Sequence, residues 1–316
     1  MQRRTAGNNG LGITSLGYSM WFMLMKEPWR IQDDIAMLKT IHVALESGIN
    51  WFDTAPLYGF GHAESLLARG ISHISRDDII ISSKFGIDWQ NPDEFRFSIT
   101  PKAIRNELED SLRRLETDYI DIYQPYLLPS SDHQVEDMWC ELDKLKQEGK
   151  IRHIGAANLD ISQIRLARTH VDLETIQMPY SLSYRDIQEE SLPYCAKKNV
   201  SVLAYSPVLL YYILVKLGIE KSKYNHDLIR SMFTHNEDPS TSLTLNKRIE
   251  PLAQERGVSM SQLTVAWILS FSEITAVLIT AKNIKQVESL IAAADLQLDA
   301  DELSIIGSYI AETIGI

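Results

Sequence analysis

The segment TPKAIRNELEDSLRRLETDYIDIYQPY, residues 100–126, contains the unit from which the fold is built. A threonine N-cap, Thr100, precedes a proline in the preferred order, and this pair predicts a helix over Pro101–Leu115. The apolar run Tyr119–Tyr123 then indicates a buried strand. A second tyrosine, Tyr126, follows the strand after a proline. The segment alone leaves open whether Tyr126 packs at the strand end or faces a substrate.

The same alternation of strand and helix repeats about eight times along the chain. The predicted strands are an opening apolar segment near Gly12–Ser19, Ile49–Asp53, Ile79–Lys84, Tyr119–Tyr123, Ile151–Ala157, Thr175–Met178, Val200–Tyr205 and Ala276–Ile279. The predicted helices are Asp33–Ser47, Ala63–Gly70, Pro101–Leu115, Val135–Gln147, Ser162–Thr169, Gln188–Lys198, Ser261–Ser270 and Ile284–Ala293. Alternation of this kind produces a parallel sheet with helices on its faces. Eight units in 316 residues predict an α/β protein with a single domain over residues 1–316, a closed (β/α)8 TIM barrel.

A doubly wound open sheet is the rival fold. That fold normally carries a glycine-rich phosphate-binding turn between its first strand and the following helix. The first strand here reads GLGITSLGYSM, residues 10–20, and lacks that glycine spacing. The barrel is therefore favoured.

One long segment, Val208–Leu245, interrupts the alternation with irregular, polar sequence. An insertion after a barrel strand lies at the face where barrel enzymes build their active sites. The segment is expected to be a solvated loop insertion, and a loop at that face can also act as a lid.

The composition excludes several functional classes. The net charge is −11 and no basic tract is present, which argues against nucleic acid as a partner. No apolar stretch is long enough to span a membrane, and the N-terminus lacks a secretory signal. Two cysteines form neither a disulfide framework nor a metal motif, and no His, Cys and carboxylate spacing suggests a metal. A cytoplasmic protein that acts on a small molecule, without a metal, is expected.

Polar residues at the carboxyl ends of the predicted strands are the candidates for chemistry. Asp53 and Lys84 end neighbouring apolar strands, where unpaired charges would be costly, so each is expected to be the partner of the other. Tyr58 lies in the turn that follows Asp53. A tyrosine has a pKa near ~10, and a nearby ammonium would lower it. The three residues together predict a proton donor to a carbonyl oxygen.

The chain resembles the aldo-keto reductases over nearly its whole length. The matching segments are ALESGINWFDTAPLYGFGHAESLL, DDIIISSKFG, ITPKAIRNELEDSLRRLETDYIDIYQ, LKQEGKIRHIGAANL and PYCAKKNVSVLAYSP. The resemblance implies a TIM barrel that binds a nicotinamide cofactor, usually NADPH, and transfers hydride to an aldehyde or ketone with proton delivery by a tyrosine. By matching motif, Asp53, Tyr58 and Lys84 occupy three of the family's four catalytic positions.

The resemblance also implies a set of cofactor-binding residues. Asn158 and Gln177 match the residues that hold the nicotinamide carboxamide. Tyr205 matches the ring that stacks on the nicotinamide, and Ser206 follows it in the same motif. Near the last strand, the segment LITAKNIKQVESL offers three further candidates, namely Lys282 for the 2′-phosphate, Asn283 and Gln286. The chain departs from the family pattern nearby, because Ser289 and Leu290 stand where a Glu-Asn pair would bind adenine, Ala157 stands in place of a serine, and Ser19-Met20 replaces a common Gly-Thr pair.

The fourth catalytic position of the family is normally a histidine, and in this chain it is Tyr126. Tyr126 is therefore expected to face the active site. A phenol can donate a hydrogen bond to a carbonyl oxygen but does not change charge near neutral pH as histidine does. Trp21 and Trp89, together with Tyr126, are expected to line an aromatic substrate pocket.

Three functions are compatible with these residues. The first is an NADPH-dependent carbonyl reductase, with NADH as the less favoured cofactor. The second is a specialised relative that acts on a conjugated double bond or catalyses elimination or isomerisation, which the changed histidine position favours. The third is a non-catalytic protein that binds nicotinamide cofactor. Retention of Tyr58 argues against the third, because binding alone needs no proton donor. The sequence does not indicate the oligomeric state.

Overall fold

Eight parallel strands close into a barrel, and each strand pairs with its neighbours in chain order. In this computed structural model, which describes residues 1–8, 10–25, 31–91, 94–126, 128, 134–205 and 239–314, the last strand pairs with the first to complete the ring. The barrel strands are β1 (Leu16–Ser19), β2 (Trp51–Asp53), β3 (Ile80–Phe85), β4 (Ile120–Pro125), β5 (Ile151–Ala157), β6 (Thr175–Pro179), β7 (Ser201–Tyr205) and β8 (Ile274–Ile279). The predicted (β/α)8 barrel is confirmed.

Helices follow the strands and cover the outside of the barrel. They are α1 (Ile31–Glu46), α2 (His62–Ile71), α3 (Pro101–Leu115), α4 (Gln134–Gln147), α5 (Ile161–His170), α6 (Ser191–Lys198), α7 (Pro239–Glu255), α8 (Met260–Leu269), α9 (Ile284–Ala292) and α10 (Ala300–Ile314). None of the helices among the described residues combines the length and apolar character needed to cross a membrane.

Helix α3 shows how local sequence fixes these elements. The Thr100 side chain accepts a hydrogen bond from the Ala103 amide, and the helix begins at Pro101. Ile104, Leu108 and Leu112 recur at a spacing of four and are buried against the barrel. The capping signal and the apolar stripe therefore agree, and the structure places the helix where both predict it.

The N-terminal residues close the bottom of the barrel. The predicted opening strand near Gly12–Ser19 is two elements, because Leu11–Thr14 pairs with Arg3–Ala6 in a hairpin and only β1 enters the barrel. Ala6 and Ile13 of the hairpin pack on six buried residues inside the barrel. We call this apolar cluster the lower lumen, and its barrel residues are Trp51, Ile80, Ile122, Leu203, Ala276 and Leu278.

The structure corrects where two predicted segments begin or end, and it adds a hairpin that was not predicted. Helix α7 begins at Pro239, inside the segment Val208–Leu245 that was expected to be an irregular loop. Its polar first turn resembles a loop in composition, but Leu245 and Ile249 are buried one helical turn apart. The remainder of that segment, through residue 238, lies outside the described residues. Helix α6 begins at Ser191 rather than Gln188, and a hairpin of Ile87–Asn91 with Glu94–Phe97 follows β3 where no element was predicted.

Candidate active site

A cavity of about 400 Å³ opens at the carboxyl ends of the barrel strands. The strand ends contribute Ser19, Trp21, Asp53, Tyr58, Lys84, Tyr126, Ala157, Asn158, Gln177 and Tyr205 to its wall. The rest of the described wall comes from α7, α8, β8 and α9, namely Ser242, Leu243, Asn246, Met260, Ser261, Thr264, Val265, Val277, Leu278, Ile279, Thr280 and Leu290. Every predicted catalytic residue therefore borders one cavity.

Asp53 and Lys84 form a buried ion pair at the base of this cavity. The Lys84 ammonium donates to both carboxylate oxygens of Asp53, at 2.7 and 2.8 Å, and to the Thr54 carbonyl oxygen at 3.2 Å. The two side chains are only 4% and 1% exposed. Burial lowers the pKa of Lys84 from its ordinary value, and the charges of Asp53 and Glu64 act in the opposite direction. The charges are costly inside a protein unless paired, and each of these is paired at hydrogen-bonding distance.

Three neutral side chains also donate to the Asp53 carboxylate. Ser82 donates to Oδ1 at 2.7 Å, Gln177 donates to Oδ1 at 2.6 Å, and Ser19 donates to Oδ2 at 3.1 Å. These donors satisfy the lone pairs that Lys84 leaves available. We call Asp53, Lys84, Ser19, Gln177, Tyr58, Tyr126 and Tyr205, which all border this cavity, the upper lumen.

Tyr58 reaches the same cavity from the turn after β2. The turn is closed by a hydrogen bond from the Gly61 amide to the Pro56 carbonyl, and Gly61 adopts the left-handed φ of 86° that favours glycine. The Lys84 ammonium lies 5.2 Å from the centre of the Tyr58 ring. Among the described residues, no group accepts a hydrogen bond from the Tyr58 hydroxyl or donates one to it. Its proton is therefore not engaged by the part of the chain that the structure describes.

The expected lowering of the Tyr58 pKa is wrong. Burial raises the pKa of Tyr58 well above its ordinary value, and Asp53, Tyr126 and Tyr205 add to the increase. The ammonium of Lys84 does not reverse this, because the Asp53 carboxylate neutralises that charge at 2.7 Å. Tyr58 is consequently a neutral phenol at physiological pH.

Tyr126 borders the cavity at the end of β4, as expected. Its hydroxyl accepts a hydrogen bond from the Leu57 amide at 3.0 Å, and its carbonyl oxygen accepts one from the Asn158 side chain at 2.9 Å. Burial raises the pKa of Tyr126 well above its ordinary value. A backbone N–H can only donate, so Tyr126 keeps its phenolic proton. The described residues provide no acceptor for that proton.

Asn158, Gln177 and Tyr205 form the side of the cavity next to Tyr126. The Tyr205 hydroxyl donates to Asn158 Oδ1 at 2.6 Å. Asn158 uses one N–H group and one lone pair on described partners, and Gln177 uses one N–H group. Both keep further capacity, because an amide has two N–H groups and two lone pairs. A nicotinamide carboxamide needs one donor and one acceptor in its binding site, so these residues fit that group.

The remaining predicted substrate-pocket and cofactor residues are not all on the cavity wall. Trp21 lines the cavity, whereas the Trp89 side chain and Ser206 lie outside the described residues. Asn283 and Gln286 are engaged at the start of α9, because Asn283 Oδ1 accepts from the Gln286 amide at 3.1 Å and Gln286 Oε1 accepts from the Lys282 amide at 2.8 Å. The wall of the cavity, as far as the structure describes it, does not include these three residues.

Some site residues were not predicted. Ser82 lies two residues before Lys84 on the same strand face, so strand periodicity could have indicated it. Ser19 was noted only as a departure from the family pattern. The wall residues from α7 and α8 carried no signal, because their contact with the cavity depends on how the helices pack.

A sequence profile of the Aldo/keto reductase family matches residues 17–311. The chain belongs to this family. It is 30% identical to the aldo-keto reductase YhdN of Bacillus subtilis, over 99% of this chain and 95% of that protein. It is 28% identical to an NADH-specific methylglyoxal reductase of Escherichia coli, over 95% of this chain and 96% of that protein.

Solved structures give the same assignment. A glycerol dehydrogenase from Gluconobacter oxydans superposes with a TM-score of 0.82 at 30% identity, covering 99% of this chain and 96% of that one. An aldo-keto reductase from Klebsiella pneumoniae in complex with NADPH superposes with a TM-score of 0.75 at 25% identity, covering 98% and 95%. This aldo-keto reductase is therefore similar along nearly its whole length to oxidoreductases of known structure.

Proposed function

We propose that this aldo-keto reductase reduces the carbonyl group of a small aldehyde or ketone with NADPH, and that Tyr58 donates the proton. The observation that carries the proposal is the neutral Tyr58 phenol, whose proton has no described acceptor and which lies beside the Lys84–Asp53 ion pair in one cavity.

The Tyr58 environment supports proton donation. Burial keeps the phenol protonated before reaction. The ammonium of Lys84, 5.2 Å from the ring centre, stabilises the negative charge that Tyr58 acquires only when the proton leaves. Asp53 holds Lys84 in that position. When bound, NADPH supplies a hydride to the carbonyl carbon. The carbonyl oxygen takes the Tyr58 proton, the product is an alcohol, and Tyr58 regains a proton from solvent.

The cofactor assignment rests on several residues. Asn158 and Gln177 would hold the carboxamide with their remaining hydrogen-bonding capacity, and the Tyr205 ring would stack on the nicotinamide. Lys282, in the segment after β8, is the proposed contact for the 2′-phosphate. Ser206, Asn283 and Gln286 are further proposed cofactor contacts. The Klebsiella relative with bound NADPH supports this choice, whereas the Escherichia coli relative is specific for NADH. A comparison of the two cofactors therefore belongs in the first experiment.

Tyr126 is proposed to orient the substrate. The Leu57 amide fixes its hydroxyl oxygen at 3.0 Å and leaves its proton available. A carbonyl oxygen within reach of Tyr58 would then receive a second hydrogen bond from Tyr126. Trp21 and Trp89 are the proposed aromatic side chains of the substrate pocket.

Reduction of a conjugated double bond is the second candidate function. The two phenols with available protons, Tyr58 and Tyr126, border one cavity. A pair of donors stabilises the oxygen of an enolate as well as that of an alkoxide. The same site could therefore accept an enone, with hydride delivered to the carbon distant from the oxygen.

The first measurement is a titration of the purified protein with NADPH and NADH, followed by protein fluorescence. Aldehydes, ketones and enones are then added and cofactor absorbance is recorded. We expect tighter binding of NADPH and its oxidation by carbonyl substrates. Tyr58→Phe should lower kcat by about 10²–10⁴-fold, the usual effect of removing a proton-transfer group, without weakening cofactor binding.

Tyr180→Phe is the matched control, because it removes a buried phenol hydroxyl that bonds Gln188 outside the cavity wall. Its kcat should remain that of the wild type. Turnover of enones alone would favour the second function. Binding without turnover would indicate the non-catalytic alternative, and failure to bind either cofactor would exclude the redox assignment.

A further inference from the structure

Tyr58, Tyr126 and Tyr205 border the candidate active site. The direction of the hydrogen bonds at Asn158 gives Tyr126 and Tyr205 different roles. The assignment starts from the Tyr126 carbonyl oxygen, which can only accept. The atom of Asn158 that lies 2.9 Å from it must therefore be Nδ2. The other amide atom, Oδ1, then faces the Tyr205 hydroxyl at 2.6 Å, and Tyr205 must donate. Its proton is committed to Asn158, whereas the proton of Tyr126 is not.

We propose that the Tyr205 hydroxyl is a positioning group that acts through Asn158 to hold Tyr126 at the substrate oxygen. The proposal rests on the proposed function, because Tyr126 is taken to contact the carbonyl group. It concerns the hydroxyl of Tyr205 and not its ring, which the family pattern places against the nicotinamide.

Asn158 is well suited to transmit this constraint. It follows β5 directly and adopts a left-handed φ of 60°, and its backbone N–H donates to the Gln177 carbonyl oxygen at 3.0 Å. Asparagine is one of the few residues that tolerate this conformation. The backbone of Asn158 is therefore fixed by its neighbours, so the orientation of its side chain depends on the two bonds to Tyr205 and Tyr126.

Asn158 holds the Tyr126 backbone, and the Leu57 backbone amide holds the Tyr126 hydroxyl. Leu57 directly precedes Tyr58 in the chain, so one turn carries both the anchor of Tyr126 and the proposed proton donor. A shift of the Tyr126 backbone would move its phenol away from Leu57 and change the angle between the two phenols. The Tyr126 amide donates to the Phe85 carbonyl oxygen at 3.0 Å, and the bond from Asn158 to the Tyr126 carbonyl oxygen is the second restraint on this shift.

We call the two hydrogen bonds that link Tyr205 to Tyr126 through Asn158 the relay. The relay leaves Asn158 able to bind a cofactor. Asn158 uses one of its two N–H groups on Tyr126 and one of its two lone pairs on Tyr205. One donor and one acceptor remain for a carboxamide. Asn158 can therefore contact the cofactor and position Tyr126 at the same time.

The first test uses the cofactor-free protein and measures hydrogen exchange of the Leu57 amide by NMR. Tyr126→Phe removes the acceptor of this amide and sets the maximum rate. Tyr205→Phe, which keeps the ring, should raise the exchange rate about tenfold, the effect of weakening one hydrogen bond. Tyr180→Phe should leave the rate unchanged. The Tyr180 amide, which donates to the Tyr205 backbone carbonyl at 2.9 Å, should keep its protection in Tyr205→Phe.

The second test is kinetic and uses a double-mutant cycle. Tyr205→Phe should raise the substrate KM about tenfold. In the Tyr126→Phe background, the same substitution should have no further effect on KM. Additive effects, or wild-type exchange of the Leu57 amide in Tyr205→Phe, would overturn the proposal.

The two tests separate the proposals. A wild-type protein without turnover would contradict the proposed function, and the exchange of Leu57 would still decide the role of Tyr205. A wild-type protein with turnover and an unaffected Tyr205→Phe variant would contradict the relay alone.

Discussion

The lower and upper lumen are built from the same strands and differ in almost every chemical property. In β2, Trp51 belongs to the apolar lower lumen, and Asp53, two residues later on the same strand face, belongs to the polar upper lumen. In β7 the corresponding change runs from Leu203 to Tyr205. The lower lumen stabilises the barrel by burial of apolar surface. The upper lumen buries charges and phenols, which stabilise little unless every partner is present.

The largest expected effect is the loss of one partner in the upper lumen. Lys84→Met leaves the Asp53 carboxylate buried without its counter-ion, and should lower the free energy of unfolding by about 3–5 kcal/mol. Urea denaturation at neutral pH measures this change. Adding Asp53→Asn should restore part of the loss, because the double variant contains no buried charge at this site.

Lys150→Met is the matched control for this comparison. Lys150 pairs with Glu109 on the surface, and the two side chains are 34% and 50% exposed. Its removal should cost about 0–1 kcal/mol. An equal cost for the two lysine variants would show that burial of the ion pair does not control its contribution.

In the lower lumen, the free energy of unfolding should depend on side-chain volume rather than on charge. A Cβ atom on Gly17 of β1 would lie 2.1 Å from the Trp51 ring, so Gly17→Ala requires the ring or the strand to move. The free energy of unfolding should fall by about 1–3 kcal/mol, the usual cost of overpacking. Differential scanning calorimetry or urea denaturation measures the loss, and kcat of the folded protein should stay unchanged.

Gly12→Ala provides the control, because no heavy atom lies within 4 Å of the added carbon. Its effect should stay within about 0.5 kcal/mol. In a Trp51→Leu background, Gly17→Ala should cost less than it does in the wild type. An undiminished cost there would place the strain somewhere other than the contact with Trp51.

The sequence predicts the lower lumen better than the upper one, for a physical reason. Apolar runs such as Ile79–Lys84 and capping pairs such as Thr100-Pro101 are local signals, and they locate the strands and helices of the barrel correctly. The motif match located the cavity residues at the strand ends, but its candidates Lys282, Asn283 and Gln286 are not part of the described cavity wall. The bonds from Ser19 and Gln177 to Asp53 join residues far apart in the chain, and they depend on strand register, which local patterns do not specify.

The same limit explains the two main corrections. The sequence predicted that Lys84 would be near Tyr58, and the structure agrees, but the pKa direction depends on burial and on the charge of Asp53. Helix α7 was missed at its start because Pro239 and the polar residues after it have loop composition. Its assignment depends on Leu245 and Ile249, which are buried only in the folded barrel.

The smallest expected effect concerns alkaline pH, where the free energy of unfolding should depend on a group of the upper lumen and not on the lower lumen. The pKa of the Tyr58 phenol is raised above its ordinary value of 10.0 in the folded protein. Below pH 10 the phenol is protonated in both states, so its contribution to stability is fully present. Above pH 10 the unfolded chain releases the proton and the folded protein does not, so stability falls as the pH rises. One such phenol contributes a slope of about 1.4 kcal/mol per pH unit.

Tyr58→Phe should therefore flatten the alkaline loss of stability, measured as the free energy of unfolding in urea from pH 7 to pH 11. Tyr58 has no described hydrogen bond to lose, so the variant and wild-type curves should run parallel from pH 7 to 9, and above pH 10 the wild-type curve should fall below the variant curve. Ile122→Val changes only the lower lumen, which contains no ionisable group among its described residues, and it should shift the whole curve without changing its slope. Parallel curves for Tyr58→Phe through pH 11 would mean that the phenol ionises equally in both states, and the barrel mouth would then be as accessible to water as the unfolded chain.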